Sequence, residues 1–481
     1  MSIKEIIEEI HGDDEEQLEF IFCTDDRIAV TAPAGCGKTT AMVSKIVWEL
    51  NKGYIPPYQK ILALTYSVNA ATKMRDSLEK LLPKILDNYE NKLKMVDVAN
   101  YHSFALRILN KHGHKIHIQL SNVNDFTFLP DNNKEVKLLL TKAQNIVFET
   151  FDQRVKNHMY NETLSVEYRK IFINILFSKN IITYNAMLLF ALDLLKDDMI
   201  KKFYKNYYKI LLIDEYQDTN VLGYLLIREL ITDNKVIVLG DEIQKIYGFL
   251  GALDNIFEKS LIYYNMKHIQ FKNNYRVSNN EPLKNLDKYI RTIVDDYNVP
   301  KWNAEINTQI FSTNMIEEKF ILKGVQKIIS FDNLKVAILV RAAKHANGVT
   351  ALLQVEKISY FNALFKDTDI EYKNFHQLAL KIFHTYIREN DRISDGKKYK
   401  IMRALDEHRN EICTDQNSFI FDSLYKLLEI AFEQVKIMFN NHKKRFEYIN
   451  YILSNGSLKH MMEHVKDRVI ITTVHASKGL E

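Results

Sequence analysis

Between Thr31 and Thr40 the chain reads TAPAGCGKTT, and few ten-residue stretches narrow the choice of fold as much. The apolar run Ile28-Ala29-Val30 precedes it, and Val43, Ile46, Val47 and Leu50 share one helical face after it. Strand, glycine-containing turn and helix, in that order, is the setting in which a phosphate-binding loop forms. Such a turn lays bare backbone N–H groups against a polyphosphate, and Gly35 and Gly37 stand where side chains would obstruct the approach. The spacing puts Ala32, Pro33, Ala34, Gly35, Cys36, Gly37 and Thr40 in or beside the cradle. Lys38 is directed at the β- and γ-phosphates and the Thr39 hydroxyl at Mg²⁺, with the positive end of the new helix facing the same anion. Ala32 departs from the first position of the GxxxxGK(S/T) pattern, and an ordinary glycine-containing turn is the competing reading of this stretch alone.

A chain of 481 residues is too long for one core and implies two to four domains. With 14 Gly and 7 Pro there are few helix breakers, so a helix-rich α/β chain is expected. The formal charge of +4 compels no partner, so any nucleic-acid surface must come from local clusters. Cys23, Cys36 and Cys413 lie far apart without metal-ligand spacing, which fits a reducing compartment rather than a disulfide scaffold. The start, MSIKEIIEEIHGDDEE, is acidic and lacks the apolar core of a secretory signal. The longest apolar segment, Met187 to Leu195, is about half a membrane span. These features point to a cytoplasmic chain with no membrane partner.

In chain order, Ile3 to Ile10 reads as an amphipathic helix, and Asp13 to Glu16 as a cap and first turn. The amide of Gln17 can both donate to and accept from an adenine edge, although most surface glutamines only meet water. Ile61 to Leu64 is a buried strand that ends in Thr65, Tyr66 and Ser67, and a helix follows from Ala70 to Leu82. Ligands gather at the carboxyl ends of parallel strands, so Thr65 and Tyr66 are candidates to bond a phosphate and stack a base. A tyrosine covering a sheet edge explains Tyr66 equally well. Val96 to Val98 is a further strand, with Tyr101, His102 and Ser103 at its end. Residues 105–182 read as helical, with no further strand. His112, His114 and His117 have spacings a metal could use, but without a nearby carboxylate or Cys a basic turn is the better reading. Lys201 to Lys209, KKFYKNYYK, is either a nucleic-acid stripe or a helix burying its aromatics.

A second chemical centre follows the apolar strand Ile210 to Ile213, which delivers Asp214 and Glu215 to its carboxyl end. Neighbouring strand residues point oppositely, so the two carboxylates can play different parts: Asp214 in the Mg²⁺ shell, Glu215 at the attacking water. Val236 to Leu239 is another strand, and beyond it Gln244 is placed to sense a γ-phosphate, with Tyr247 and Phe249 as stacking platforms. Asn274-Tyr275-Arg276 sets a ring beside a guanidinium. Val336 to Val340 opens a second sheet, and Val469 to Val474 leads to His475.

This ordered set resembles superfamily 1 helicases of the UvrD/Rep/PcrA type. The resemblance is carried by Gln17, APAGCGKTT, LTYSVNAATKM, NYHSF, LLIDEYQDTN, VLGDEIQKIYGFLGA, NNYRVS, VAILVR and TTVHASKGLE. It implies two RecA-like P-loop NTPase lobes with inserted helical subdomains, ATP in the cleft between the lobes and single-stranded or partially duplex DNA across them. The first lobe would take residues 1–104 and 183–275 around an insert at 105–182; the second would take 276–341 and 468–481 around an insert at 342–467. Position by position, the resemblance gives Gln17 and Tyr275 to adenine, and Lys38 and Thr39 to the phosphates and metal. It gives Asp214 and Glu215 to metal and water, Gln244 and Arg276 to the γ-phosphate, and Glu481 to the ribose. Tyr66, His102, Tyr247, Phe249 and His475 fall at DNA-touching positions.

Three departures stand out: Asn69 replaces a usual Lys, Leu250 replaces the Arg of (W/F)RGA, and the chain stops at Glu481, short of the family's last motif with its second arginine. The expected function is an ATP-dependent translocase or helicase moving 3′ to 5′ by family analogy, its site to be completed by a further segment or a partner. The alternative is a nucleotide-gated regulatory or assembly subunit that partners a nuclease, as in compact UvrD-like proteins of bacterial antiphage systems of the Gabija kind.

Overall fold

Apolar runs buried on both faces become parallel strands, and a computed structural model of the chain arranges six of them in one sheet. The structure describes residues 2–86, 89–231, 233–245, 248–295, 309–331, 334–366, 369–414, 417–439 and 441–477, without the side chains of 124, 249, 294 and 295. It divides into two units, Met1–Glu305 and Ile306–Glu481.

In the first unit the strands are β1 (Arg27–Thr31), β2 (Lys60–Thr65), β3 (Val96–Asn100), β4 (Thr127–Leu129), β5 (Ile181–Thr183), β6 (Tyr208–Ile213), β7 (Lys235–Gly240) and β8 (Lys267–Gln270). The main sheet has the order β3-β2-β6-β7-β1-β8, every pairing parallel. Alternation along β6 divides its side chains between two cores. Ile210 and Leu212 pack with Val43, Ile46, Met74 and Leu78 on one face. These come from the helices α3 (Lys38–Asn51) and α4 (Val68–Ile85), beside which lie α1 (Ile3–His11) and α2 (Glu15–Phe22). Leu211 and Ile213 pack with Phe104, Leu188 and Leu226 on the other face. The apolar segment Met187 to Leu195 lies in the helix Tyr184–Lys196, which is buried almost all round and therefore carries no polar stripe.

The almost wholly helical pattern of residues 105–182 also holds strand structure that it did not announce. β4 and β5 form a two-stranded parallel sheet with Thr127 opposite Ile181. Three residues are too few to display an alternation. Phe148, Phe151, Tyr168, Phe172 and Phe177 from this region join the core of the main sheet. The KKFYKNYYK stretch buries Tyr204 and Tyr208, while Phe203 and Tyr207 stack at 5.5 Å on its outer side.

The second unit contains β9 (Val336–Val340), β10 (Phe361–Ala363) and β11 (Val469–Thr473), parallel in the order β10-β11-β9. Helices Ile370–Tyr386, Asp395–Glu407, Ser418–Met438 and His442–Ser454 share one apolar core there. Among the described residues no helix is long and apolar enough to cross a membrane.

Candidate active site

β1 ends at Thr31, and the loop that follows is tied to the neighbouring strand end: Ala32 N donates to Gly240 O at 2.9 Å. Gly35 and Gly37 take φ of +81° and +69°, which L side chains adopt only at a cost. A Cβ on Gly35 would sit 2.4 Å from Asn274 Oδ1, and one on Gly37 2.7 Å from Gln17 Nε2. α3 begins at Lys38 with Gly37 as its N-cap, which has no side chain to cap the first N–H groups, so these point out of the helix end as an anion cradle requires. Thr39 and Thr40 are exposed on that first turn. Cys36 is buried and burial pushes its thiol up to about 12, so its contribution to the loop is backbone, not sulfur chemistry.

Lys38 reaches across to the end of β6. Its Nζ stands 2.8 Å from Glu215 Oε1 and 3.8 Å from Asp214 Oδ1. Burial alone would pull the ammonium down, but the Glu215 and Asp214 carboxylates outweigh it and hold Lys38 above the usual lysine range. Asp214 continues the sheet ladder, its N donating to Leu64 O at 2.8 Å. Strand alternation does not run through the two carboxylates. The strand ends at Ile213, and Glu215 turns into the left-handed region at φ +50°, which brings both acids to one lysine.

From Glu215 a polar chain runs along the strand ends. Gln217 Nε2 donates to Glu215 Oε2 at 2.5 Å, and Asp241 N donates to Gln217 Oε1 at 3.1 Å. Gln244 Nε2 donates to Asp241 Oδ2 at 2.7 Å. Arg291, on the helix Glu281–Asp295, holds both Asp241 oxygens, at 3.1 and 2.8 Å, and also bonds Asp287.

On the other side of the loop, Gln17 N is capped by Asp14 Oδ1 at 2.9 Å, and Tyr275 donates its hydroxyl to Asp14 Oδ2. Tyr275 N donates to Gly35 O at 2.8 Å, and Asn274 Nδ2 to Ala34 O at 2.9 Å. Tyr275 is 50% exposed, so one face of its ring is open beside the loop.

A family model described as the UvrD/REP helicase N-terminal domain matches residues 13–166 and 128–265, together more than half of the chain. The chain belongs to the UvrD/REP helicase family. A probable DNA helicase of Mycoplasma pneumoniae is 29% identical over 267 residues, covering 51% of this chain and 49% of that protein. The ATP-dependent DNA helicase PcrA of Staphylococcus epidermidis is 29% identical over 289 residues, covering 55% and 38%. PcrA of Staphylococcus aureus is 24% identical over 341 residues, covering 65% and 45%. The match thus spans about half, or less, of the length of these curated relatives.

Within this UvrD/REP helicase chain, the loop, Lys38, Asp214, Glu215, Gln244, Gln17 and Tyr275 converge on the carboxyl ends of β1, β6 and β7. Arg276 is exposed beside Gly35, where a Cβ on the glycine would meet Arg276 Cβ at 2.6 Å. Asp214, Glu215 and the Thr39 hydroxyl offer the hard oxygen donors that suit Mg²⁺. Thr65 is fully buried and donates its hydroxyl to Ser67 O at 3.0 Å, which makes it part of the turn. Tyr66 beside it is half-buried. His102 packs edge-on against Tyr184 at 5.2 Å, and burial pushes it down to about 4, so it brings no charge to a phosphate at neutral pH. His475 follows β11 in the second unit. Tyr247, the Phe249 side chain and Glu481 lie outside the described residues. Sequence reasoning gave no role to His11, Asn274, Asp241 or Arg291. Asn274 adjoins the Tyr275-Arg276 pair and Asp241 follows a strand, which are usable signals; Arg291 has no local signal at all.

Proposed function

We propose that this chain carries the ATP-hydrolysing site of a DNA helicase that moves 3′ to 5′ along single strands. The observation that supports this reading best is the junction of the glycine loop with two strand-end carboxylates through Lys38, 2.8 Å from Glu215 and 3.8 Å from Asp214. On this reading Lys38 and the loop N–H groups bind the polyphosphate, and Lys38 exchanges its carboxylate partners for phosphate oxygens. Thr39 and Asp214 would hold Mg²⁺, which would supply positive charge to offset that of the polyphosphate. Glu215, released from Lys38, orients the attacking water and receives its proton. Gln244, steadied by Asp241, contacts the γ-phosphate, and Arg276 adds a guanidinium to the same charge. Gln17 and Tyr275 take the adenine. Tyr66, with Tyr247 and Phe249, stacks DNA bases, and His102, as a neutral ring, and His475 contact the strand.

The test is ATP-driven strand displacement by the full chain on duplexes bearing a 3′ or a 5′ single-stranded tail, with Lys38→Ala as the control. Unwinding confined to the 3′-tailed substrate and absent in Lys38→Ala is the expected result. Unwinding of the 5′-tailed duplex alone would reverse the polarity. ATP turnover with no displacement on either would favour a nucleotide-gated subunit that acts with a nuclease, the reading in which antiphage defence enters.

A further inference from the structure

Gln17 is gripped from two sides. His11, the last residue of α1, is 7% exposed; its Nδ1 lies 2.5 Å from Gln17 Oε1 and its Nε2 2.8 Å from Ser44 Oγ on α3. On the opposite side Gln17 Nε2 donates to the carbonyl of Cys36 at 3.0 Å. We propose that His11 and the Cys36 carbonyl lock the Gln17 amide in one orientation, and that this lock makes the site prefer adenine over guanine. His11 is then a specificity-determining positioning residue that never touches the nucleotide. The proposal rests on the reading of Gln17 as the base contact.

The Cys36 carbonyl can only accept, so it must face the NH₂ of the amide. That leaves Oε1 facing His11, which must carry its proton on Nδ1 to donate there. Nε2 is then the acceptor, and the buried Ser44 hydroxyl donates to it. One rigid carbonyl in the glycine loop thus sets the orientation of the amide and the tautomer of the ring. Burial lowers the His11 pKa, which keeps the ring neutral as this chain of donors and acceptors requires.

A primary amide has two donor hydrogens and two acceptor lone pairs. His11 uses one lone pair and Cys36 one hydrogen, so one acceptor and one donor remain side by side. Adenine presents the complement, the N6 amino hydrogen beside the N7 lone pair, whereas guanine presents two acceptors, O6 and N7. A loose amide could swing its NH₂ towards guanine O6 and carry its oxygen away. The locked one would have to break both contacts, and a full flip would set oxygen against the Cys36 carbonyl and NH₂ against the His11 N–H. The half-exposed ring of Tyr275, anchored at Gly35 O and Asp14, offers a plane for the purine.

The test measures equilibrium binding of fluorescent ATP and GTP analogues with Mg²⁺ to the full chain, for the native sequence, His11→Phe, Ser44→Ala and Gln17→Ala. A thermal melt of each variant checks its folding. The expected result is a clear ATP preference that falls about tenfold or more in His11→Phe, chiefly through tighter GTP binding, and by less in Ser44→Ala. If Gln17→Ala erases the preference while His11→Phe and Ser44→Ala retain it, the lock is overturned and the base contact stands. If Gln17→Ala also retains it, the base contact itself falls, and the lock with it. Should His11→Phe fail to fold, ¹⁵N NMR of the native His11 ring decides: an Nδ1–H tautomer supports the lock, and an Nε2–H tautomer overturns it.

Discussion

Lys38 and Glu215 form a 2.8 Å ion pair although they are joined by no common element, one opening a helix and the other sitting just past the end of a strand. The left-handed backbone at Glu215 is what makes the pair possible. An extended residue there would aim its carboxylate to the face opposite Asp214. The pair keeps a largely buried ammonium compensated.

Glu215→Gln keeps the size and one acceptor oxygen of the side chain but removes its capacity to take a proton. ATP and Mg²⁺ should still bind, because Lys38, Thr39 and Asp214 remain. Hydrolysis should fall by ~10²–10⁴-fold, the usual contribution of a positioned base. Single-turnover phosphate release alongside a binding measurement separates the two effects. Near-native hydrolysis would remove Glu215 from the chemistry.

Arg291 holds a carboxylate whose side chain is 2% exposed. Arg291→Ala would leave Asp241 charged, buried and without its guanidinium. Breaking a buried pair from one side costs ~3–5 kcal/mol, and the lower end applies because Arg291 is itself 23% exposed. Adding Asp241→Asn should recover much of the loss, since the uncompensated charge is then gone. Urea unfolding of the native chain, the single variant and the double variant measures this. Equal stability of all three would show that the pair contributes nothing net.

His376 gives a pH dependence to the second unit. It is buried, donates from Nδ1 to Tyr372 O at 2.8 Å, and its Nε2 is buried without a partner among the described residues. Burial pushes it down to about 4 from 6.5. A depressed folded pKa means that stability is intact above pH 6.5 and is lost as pH falls towards 4. The loss is about 3 kcal/mol at most, from ~1.4 kcal/mol per unit. His376→Gln should remove that slope, read as the change in the second unit's unfolding midpoint between pH 7 and pH 4.5. A slope unaltered by the substitution would place the proton elsewhere.

The elements legible in the sequence were those whose physics is local. β1, β2, β6 and β7 are buried on both faces and announce themselves as apolar runs, and the glycine loop by its spacing. β4, β5 and β10 have three residues each, and β8 buries only Ile269, so no alternation marks them. Lys38, Asp214 and Glu215 were readable one by one, but their common meeting point depends on a left-handed turn at a glutamate, which no residue type there demands. His11 reaches Gln17 across a helix break and Ser44 across 33 residues, and Arg291 reaches Asp241 across 50. Contacts of that range are set by how helices lie on the sheet.

Phosphate release by the full chain, with and without a single-stranded oligonucleotide, bears most directly on the proposed ATP site when the native sequence is compared with Lys38→Ala. The expected result is a DNA-stimulated rate that falls by ~10²-fold or more in Lys38→Ala, the scale of losing one charge-stabilising donor in the transition state. Turnover that survives Lys38→Ala would contradict the assignment, because Lys38 is the cation that joins the glycine loop to Asp214 and Glu215.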